Sequence, residues 1–390
     1  MTTVLCTNGL LSKTLAVVRS LGSKDIKVIV SESTRFHTSG FSKYCSKTLL
    51  SPNPTKEPIQ YVEWLKETIQ MEKIDIVFAM DDDTIDVIST YLSELDTLCV
   101  FPIPSRESYL ISADKSETMK LAAIANVPCP QTITTLGLDD LNEQGLLKLI
   151  QDYDFPVVIK PRMSNGSRGF RIVETKDQLW RVYSDIHESY PYPMIQEYIP
   201  SGVKYDICLC YDSKHELKAS FVQKQIRNYP INRGPSTVHE SVIYPELVEL
   251  SKKLLTHIPW YGVADIEFMI DPRNGRPILL EINPRFWSSV HLSIRCGVDF
   301  PWILYQLAMG KEVPIKSEYV TGRRGRSLLP GDVLHFISNP KRWSMDPPLW
   351  TTSLPDDMVS VKDPLPTLGF IMSALRYCLN KEAWKFLVRR

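Results

Sequence analysis

A strand–turn–strand pattern over residues 264–283 constrains this chain more than any other stretch. On both sides of the Asn274-Gly275 pair, apolar and polar residues alternate as they do in half-buried strands. An Asn-Gly pair between two such runs is typical of a hairpin turn. The pattern predicts a β-hairpin in which Glu267 faces Glu281, with Asn283 on the same side, because a slip of one residue would lose the alternation. The opposite, apolar side is then formed by Ile278, Leu280 and Ile282.

Two carboxylates facing each other across a hairpin repel unless something neutralises them. At about 5 Å and an effective dielectric of about 20 the repulsion is roughly 3 kcal/mol. By this argument alone, replacing Glu281 with Gln leaves stability without ligand unchanged or slightly raised. Carboxylate and amide oxygens suit a hard cation such as Mg²⁺, with Mn²⁺ as the alternative. An exposed hairpin with solvated acids would look the same, but Arg285 follows directly, where a transferring phosphoryl group needs positive charge.

Composition narrows the class of protein. A chain of 390 residues has room for two or three domains, and its 45 basic and 45 acidic side chains give no overall charge for binding nucleic acid or a membrane surface. Eight dispersed cysteines without a C-x-x-C motif indicate a reducing compartment, so we expect a cytoplasmic protein. The first nine residues do not resemble a signal peptide, and no apolar run is long enough to predict a transmembrane segment.

The first 111 residues predict a doubly wound α/β domain, because short apolar strands alternate with amphipathic helices. The turn at Gly9 lacks a G-x-G-x-x-G motif, so it gives little support to dinucleotide binding. Three aspartates follow the last of these strands at 81–83, where open α/β sheets bind ligands, although helix capping is the commoner role of such residues. The predicted strands and helices are 4–6, 10–21, 27–30, 61–70 and 74–79.

Beyond residue 112 the pattern changes. A capping box predicts a helix that begins at Lys115, and the apolar strand 155–160 ends in Lys160. The Gly-containing turn 164–169 follows, and its backbone N–H groups together with Lys160 and Arg168 would suit a phosphate. A surface hairpin with incidental basic residues is the alternative. A further strand at 194–199 ends in a bend whose exposed backbone would suit the edge of adenine.

Together, these segments resemble the ATP-grasp superfamily in order and spacing. The resemblance covers about residues 1–315 and is nearest to the branch of carbamoyl phosphate synthase large chains and carboxylate–amine ligases. It rests on Lys115, Ile159-Lys160-Pro161, the Gly-containing loop, Gln196–Ile199, Glu267 and Glu281–Arg285. It implies an N-terminal α/β domain (1–111), two ATP-grasp lobes (112–190 and 191–318) and a C-terminal extension (319–390).

The resemblance also implies roles for individual residues. Lys115 and Lys160 would contact ATP phosphates, and Arg285 would stabilise the transferring γ-phosphoryl. Lys204 stands where the family often carries an acid for the ribose, so Asp206 is the candidate substitute. The loop over the phosphates would include Ser164, Gly166, Arg168 and Gly169. The adenine site would include Glu197, Tyr198 and Ile199. The Mg²⁺ site would consist of Glu267, Glu281 and Asn283. Independently of the resemblance, bidentate donation makes Arg227, Arg233 and Arg295 candidates to hold the substrate carboxylate or the phosphates on the ADP side, and for each a surface role is an equal alternative.

Such a site supports phosphorylation of a small carboxylic acid to an acyl phosphate, followed by attack of an amine and release of ADP and phosphate. The resemblance leaves homodimer assembly open. The alternative is an ATP-binding regulatory or interaction protein that keeps the fold without turnover. Carboxylation fits less well, because the sequence has neither a biotin-attachment domain nor duplicated halves. The basic, helically spaced segment 369–390 could bind a membrane surface or a partner, although docking on its own protein is commoner.

Overall fold

A four-stranded parallel sheet forms the N-terminal part of the computed structural model, which describes residues 2–164, 168–231 and 234–378. The strand order is β3-β2-β1-β4, and the parallel pairing predicted from the strand–helix alternation is confirmed. The strands are β1 (Thr3–Cys6), β2 (Lys27–Glu32), β3 (Lys47–Leu50) and β4 (Ile76–Phe78). The helices are α1 (Ser12–Gly22), α2 (Pro58–Glu72), α3 (Asp82–Thr90), α4 (Leu92–Leu95) and α5 (Arg106–Ala113).

A second, antiparallel sheet follows, in the order β5-β8-β6-β7. Its strand β8 pairs with β6, which corrects the expectation that residues after 190 belong to the second lobe. Alternation predicts that β8 is a strand but carries no information about its neighbour. The elements are α6 (Lys115–Ile124), β5 (Thr132–Ile133), α7 (Glu143–Leu149), β6 (Val157–Lys160), β7 (Arg171–Val173), α8 (Lys176–Ser189) and β8 (Met194–Glu197).

The third sheet is antiparallel and six-stranded, in the order β13-β12-β9-β10-β11-β14. Its edge strand β14 comes from the segment after residue 318, so part of the predicted extension belongs to this sheet. The strands are β9 (Lys204–Tyr211), β10 (Leu217–Asn228), β11 (Ser236–Val242), β12 (Gly262–Ile270), β13 (Pro277–Asn283) and β14 (Arg324–Arg326). The helices are α9 (Pro245–Leu255), α10 (Val290–Arg295) and α11 (Phe300–Ala308).

The β12–β13 hairpin has the predicted register where the carboxylates lie. Glu267 pairs with Glu281, and the register shifts by one residue immediately beyond, so that Phe268 pairs with Leu279. The extra residue is a β-bulge. It corrects the predicted faces: Leu279 is buried in the core, whereas Leu280 lines the cavity described below.

The N-terminal domain packs directly against the six-stranded sheet. Val17 and Leu21 of α1 share one apolar core with Phe221 of β10, Trp287 and Phe300, and all five side chains are buried. Burying a large apolar side chain contributes roughly 1.5–3 kcal/mol. This packing holds the carboxyl ends of β1 and β4 beside the β12–β13 hairpin.

The C-terminal segment also packs on the protein. It contains α12 (Val333–Ser338) and α13 (Leu365–Cys378), and α13 lies against a 3₁₀ turn at Thr38–Phe41. Before α13, the Asp363 carboxylate accepts hydrogen bonds from Arg19 Nε at 2.9 Å and Ser42 Oγ at 2.7 Å. Docking is thus confirmed for the described part of the predicted helix, and its remainder lies outside the described residues. No helix in the described part of the chain is long and apolar enough to cross a membrane.

Candidate active site

A cavity of about 700 Å³ lies between the four-stranded antiparallel sheet and the six-stranded sheet. Pockets of this size accommodate drug-sized ligands. Strand ends, one helix N-terminus and the β12–β13 hairpin converge on it, so residues far apart in the sequence line one space. The predicted site residues among its lining are Lys115, Lys160, Ser164, Arg168, Glu197, Tyr198, Ile199, Asp206, Glu267, Glu281, Asn283 and Arg285.

One end of the cavity, the charged end, is formed by Lys115, Lys160, Glu267, Glu281 and Arg285. Lys115 begins α6, and its Nζ lies 3.2 Å from Glu281 Oε2 while donating to the Ser164 carbonyl at 2.8 Å. Lys160 ends β6, where burial and then the charge of Lys115 lower its pKa to about 8. Two lysines therefore face the carboxylate pair.

The pKa values of the two glutamates are shifted in opposite directions. Burial and then the charge of Glu281 raise the pKa of Glu267 to about 8. Burial acts on Glu281 in the same direction, but Lys115 and Lys160 outweigh it and lower the pKa of Glu281 to about 2. Without a ligand, Glu281 is thus held ionised by lysines, while Glu267 lacks enough positive charge to ionise at neutral pH.

Asn283 lies at the centre of the acidic groups. Its Nδ2 is 3.5 Å from Glu267 Oε1 and from Glu281 Oε1, and 3.4 Å from Asp265 Oδ2. Asp265 is fully buried, burial and then the charge of Asp206 raise its pKa well above the usual range, and its Oδ1 has no hydrogen-bond partner within the described structure. The sequence analysis missed Asp265, although it precedes Glu267 by two positions on one strand face.

Arg285 is held by the N-terminal domain. Its Nε donates to Asp82 Oδ2 at 2.7 Å, and its Nη2 donates to Asn283 Oδ1 at 3.1 Å. Burial opposes the charge on Arg285, but Asp82 overcomes this and raises the pKa of the guanidinium. Within the predicted aspartate run, Asp81 caps α3 by accepting from the Thr84 N–H, whereas Asp82 contacts the site. Capping and site contact therefore both occur, on neighbouring residues.

Lys13 of α1 is a second contact from the N-terminal domain that the sequence did not reveal. Its Nζ donates to the Phe286 carbonyl at 3.0 Å, directly after Arg285. Burial and then the nearby Arg285 charge lower the pKa of this lysine to about 7. Asp82 and Lys13 together fix the Arg285-Phe286 segment from the side of the parallel sheet.

A second group of lining residues, which we call the apolar end, comprises Val158, Ile172 and Leu280 together with Glu197, Tyr198 and Ile199. Val158 pairs with Ile172 in the sheet, and Glu197 lies on the adjacent strand. The Glu197 carboxylate accepts from the Gln131 N–H at 3.1 Å. This contact fixes the side chain at the end of β8, where the strand leads into the predicted bend. Lys204 lines the cavity as well.

The loop after β6 is described in part. Ser164 and Arg168 line the cavity, and Gly166 lies outside the described residues. Gly169 has a φ of 71°, and a Cβ built on it would lie 2.6 Å from Pro161 Cγ. Gly169 is therefore required for the turn rather than for lining the cavity.

Of the three arginines predicted to bind substrate, two lie outside the cavity and the third lies outside the described residues. Arg227 is buried, forms an ion pair with Asp332 at 2.9 Å and does not line the cavity, because a segment distant in sequence already occupies its guanidinium. Arg295 is exposed at the end of α10 and does not line the cavity either. Arg233 lies outside the described residues.

Asp206 lines the cavity at a different place from that expected of a ribose ligand. It pairs with Glu267 in the sheet register and accepts from Gln223 Nε2 at 2.7 Å. Burial raises the pKa of Asp206 to about 6, although the hydrogen bonding of its carboxylate acts in the opposite direction. On the neighbouring strands, Gln223 and His239 extend the same polar face, and burial lowers the pKa of His239 to about 3, so this imidazole is neutral. Asp206 therefore belongs to the row of acids on the sheet.

Comparisons with known proteins agree with this architecture. Residues 112–289 match the family model described as ATP-grasp domain. The carbamoyl phosphate synthase large chain of Thermotoga petrophila is 24% identical over 276 residues, covering 67% of this chain and 24% of that protein. The biotin carboxylase of Nostoc sp. is 25% identical over 234 residues, covering 56% of this chain and 51% of that protein. The chain thus spans about a quarter to a half of the length of these relatives.

Solved structures show the same fold. The biotin carboxylase of Campylobacter jejuni, in a βγ-ATP complex, superposes with a TM-score of 0.69 at 17% identity, covering 83% of this chain and 74% of that one. The N5-carboxyaminoimidazole synthetase of Staphylococcus aureus gives a TM-score of 0.66 at 15% identity, covering 84% and 82%. At these identities the likeness concerns the fold.

Proposed function

We propose that this chain, whose residues 112–289 are an ATP-grasp domain, is an ATP-dependent ligase that joins a small carboxylic acid to an amine through an acyl phosphate. One observation carries the proposal. Two lysines, two glutamates, an asparagine and an arginine with its own acid partner converge at one end of a cavity whose other end is apolar. This arrangement fits a nucleotide whose base lies at the apolar end and whose phosphates reach the charged end.

The apolar end supports binding of the adenine. Val158, Ile172 and Leu280 offer apolar surface to both faces of a base, and the backbone at Tyr198 and Ile199 offers hydrogen bonds to its edge. Lys160 and Lys115 then meet the phosphates. In the row of acids Asp206 lies beside Glu267, so we propose no ribose contact for it.

Glu267, Glu281 and Asn283 fit a Mg²⁺ ion by their chemistry. Each of the three side chains carries an oxygen that could bind the ion, and burial together with the charge of Glu281 raises the pKa of Glu267, so a further positive charge would favour its ionised form. Asn283 directs its Nδ2 at both glutamates, so its amide would turn to present Oδ1 to the ion. No group of three His, Cys, Asp or Glu side chains in the described chain converges closely enough to hold a metal alone, which suits an ion completed by phosphate oxygens and water. When bound, Mg²⁺ would neutralise these carboxylates and the phosphate oxygens.

The proposed reaction has two steps. A carboxylate oxygen of the acid attacks the γ-phosphorus, the bond to the β,γ-bridging oxygen breaks, and ADP leaves. The amine nitrogen then attacks the acyl carbon, phosphate leaves, and the nitrogen loses a proton. Arg285 stabilises the charge of the transferring phosphoryl, and Asp82 keeps its guanidinium in position before substrate binds.

Labelled substrates test this proposal. Pairs of candidate acids and amines, including amino acids, dipeptides and bicarbonate, are incubated with MgATP, and ADP and phosphate are measured. An acid carrying ¹⁸O in its carboxylate should transfer one ¹⁸O to the released phosphate. Arg285→Ala should abolish turnover, and Arg295→Ala, at an exposed arginine outside the cavity, should retain it. AMP and pyrophosphate as products would contradict the acyl phosphate, and ATP binding without turnover for every pair would favour a regulatory protein.

A further inference from the structure

Helix α13 contacts the protein through small side chains and turns its large apolar side chains outward. Gly369 faces the 3₁₀ turn so closely that a Cβ there would lie 2.7 Å from Phe41 Cδ2. Ser373 is buried, and its Oγ donates to the Phe36 carbonyl at 2.9 Å. On the opposite side of the helix, four apolar side chains are between 45% and 60% exposed: Leu365, Leu368, Ile371 and Leu375.

These four residues form one stripe, because they are spaced by three or four positions along a helix. We call these four α13 residues the outer stripe. A surface helix usually buries its leucines and exposes polar residues. Here the arrangement is reversed, and contiguous exposed apolar surface of this kind marks an interaction site.

The surroundings of the outer stripe are basic. Arg35, Lys43, Lys362 and Arg376 are all exposed near it in the chain. Asp363 is the acid between residues 358 and 376, and it is buried with Arg19 as its ion-pair partner.

We propose that the outer stripe docks this protein on an anionic lipid membrane, with α13 lying in the plane of the surface. Apolar side chains of such a helix enter the boundary between headgroups and acyl chains, and the flanking basic residues meet anionic headgroups. A second copy of the chain fits less well, because a two-fold symmetric contact would bring its basic residues face to face. This inference concerns another face of the molecule and does not depend on the proposed function.

Vesicle co-sedimentation of the full chain tests the inference. Binding is compared on vesicles of phosphatidylcholine alone and of phosphatidylcholine mixed with phosphatidylglycerol, with and without added salt. We expect binding to the anionic vesicles that weakens with salt. Combining Leu368→Gln, Ile371→Gln and Leu375→Gln should weaken partitioning by at least about tenfold, because each substitution removes apolar surface from the lipid boundary.

A matched control replaces three more exposed apolar residues on α2 and α6, Ile59→Gln, Met71→Gln and Ile124→Gln, and should bind vesicles as the unmodified chain does. Circular dichroism of both triple variants checks their folding. Failure of the unmodified chain to bind anionic vesicles overturns the inference, as does equal binding by the outer-stripe variant. A change from dimer to monomer in that variant, measured by sedimentation equilibrium without lipid, would assign the stripe to contacts between copies and would also overturn it.

Discussion

The charged end and the apolar end of the cavity differ in how their own side chains balance without a ligand. At the charged end, Glu267 and Lys160 both have pKa values displaced to about 8, from opposite directions. At the apolar end, Val158, Ile172 and Leu280 need no such compensation, and the Glu197 carboxylate has a backbone N–H donor. The polar groups of the apolar end are therefore satisfied without a ligand, whereas the charges of the charged end are not.

This difference shows that arranging charged groups before the ligand binds lowers the stability of the protein without ligand. Placing like charges together destabilises the protein without ligand, yet it provides strong electrostatic interactions when phosphates and a cation bind. An apolar pocket contributes affinity in proportion to the area it covers and leaves stability largely unaffected. We therefore expect substitutions at the charged end to change turnover and stability together, and substitutions at the apolar end to change affinity alone.

The largest effect is expected from the two glutamates. Glu281→Gln and Glu267→Gln should each lower turnover by roughly 10²-fold or more, the scale of losing one preorganised electrostatic group. Their effects on stability without ligand should be opposite. Glu281→Gln should destabilise, because Lys115 and Lys160 lose their partner, whereas Glu267→Gln should hold or raise stability by removing a carboxylate that resists ionisation. Thermal unfolding and turnover of both variants measure this.

The expectation for Glu281 reverses the one drawn from carboxylate repulsion alone, because the sequence does not show that Lys115 lies 3.2 Å from Glu281. Glu249→Gln, at an exposed helix position, is the control for both variants and should leave turnover and stability unchanged. Full activity in either Glu267→Gln or Glu281→Gln would contradict a metal site at the hairpin.

A smaller effect is expected from Lys160→Ala. Hydrogen bonds to charged groups contribute about 1.5–3 kcal/mol, so nucleotide affinity should fall about 10- to 100-fold. Stability without ligand should hold or rise, because a buried ammonium near Lys115 is removed. Calorimetric titration with MgATP measures the affinity. Lys214→Ala, at an exposed turn lysine, should bind as the unmodified chain does, and unchanged affinity in Lys160→Ala would remove Lys160 from the phosphate site.

At the apolar end, Leu280→Ala should act on affinity alone. Removing part of one apolar wall should weaken MgATP binding by roughly fivefold, corresponding to about 1 kcal/mol of apolar burial. Turnover at saturating nucleotide should be unchanged, because the Leu280 side chain carries no charge or hydrogen-bonding group for the phosphates. Ile243→Ala, an exposed position outside the cavity, is the matched control. A large loss of maximal turnover in Leu280→Ala would mean that the two ends are not separable.

A pH dependence confined to the charged end is also expected. Glu267 has a folded-state pKa raised from 4.5 to about 8, so its stabilising contribution is complete below 4.5 and is lost as pH rises through 8. The free energy of unfolding of the unmodified chain, minus that of Glu267→Gln, should therefore decrease over this range. MgATP should reduce the decrease, because the ionised carboxylate gains a partner. Leu280→Ala should show the pH dependence of the unmodified chain.

The features predicted from the sequence are those that a local residue pattern can encode. Alternation around Asn274-Gly275 predicted that Glu267 faces Glu281, and the capping box predicted the helix beginning at Lys115. The bulge at Leu280 escaped prediction, because one extra residue in a strand leaves the apolar composition of both faces plausible.

Contacts between distant segments could not be predicted in the same way. The sequence does not show that Asp332 pairs with Arg227, so it left Arg227 a candidate to bind substrate. It likewise does not show that Asp82 contacts Arg285, so helix capping was the commoner role expected there. Each contact depends on how whole sheets pack, which periodicity of two or 3.6 residues does not determine. The residues that line the candidate site could thus be predicted from the pattern of each strand. The residues that hold those side chains in place could not.

The pairing of Asp82 with Arg285 joins residues 203 positions apart. During synthesis the acid emerges from the ribosome long before the arginine, so the N-terminal domain can fold first and wait for its counterpart. The same separation limits how the protein can be recombined with others in evolution. Residues 112–289 transferred without this N-terminal partner would carry a part-buried arginine that lacks its carboxylate. We therefore expect the two modules to be exchanged together rather than separately.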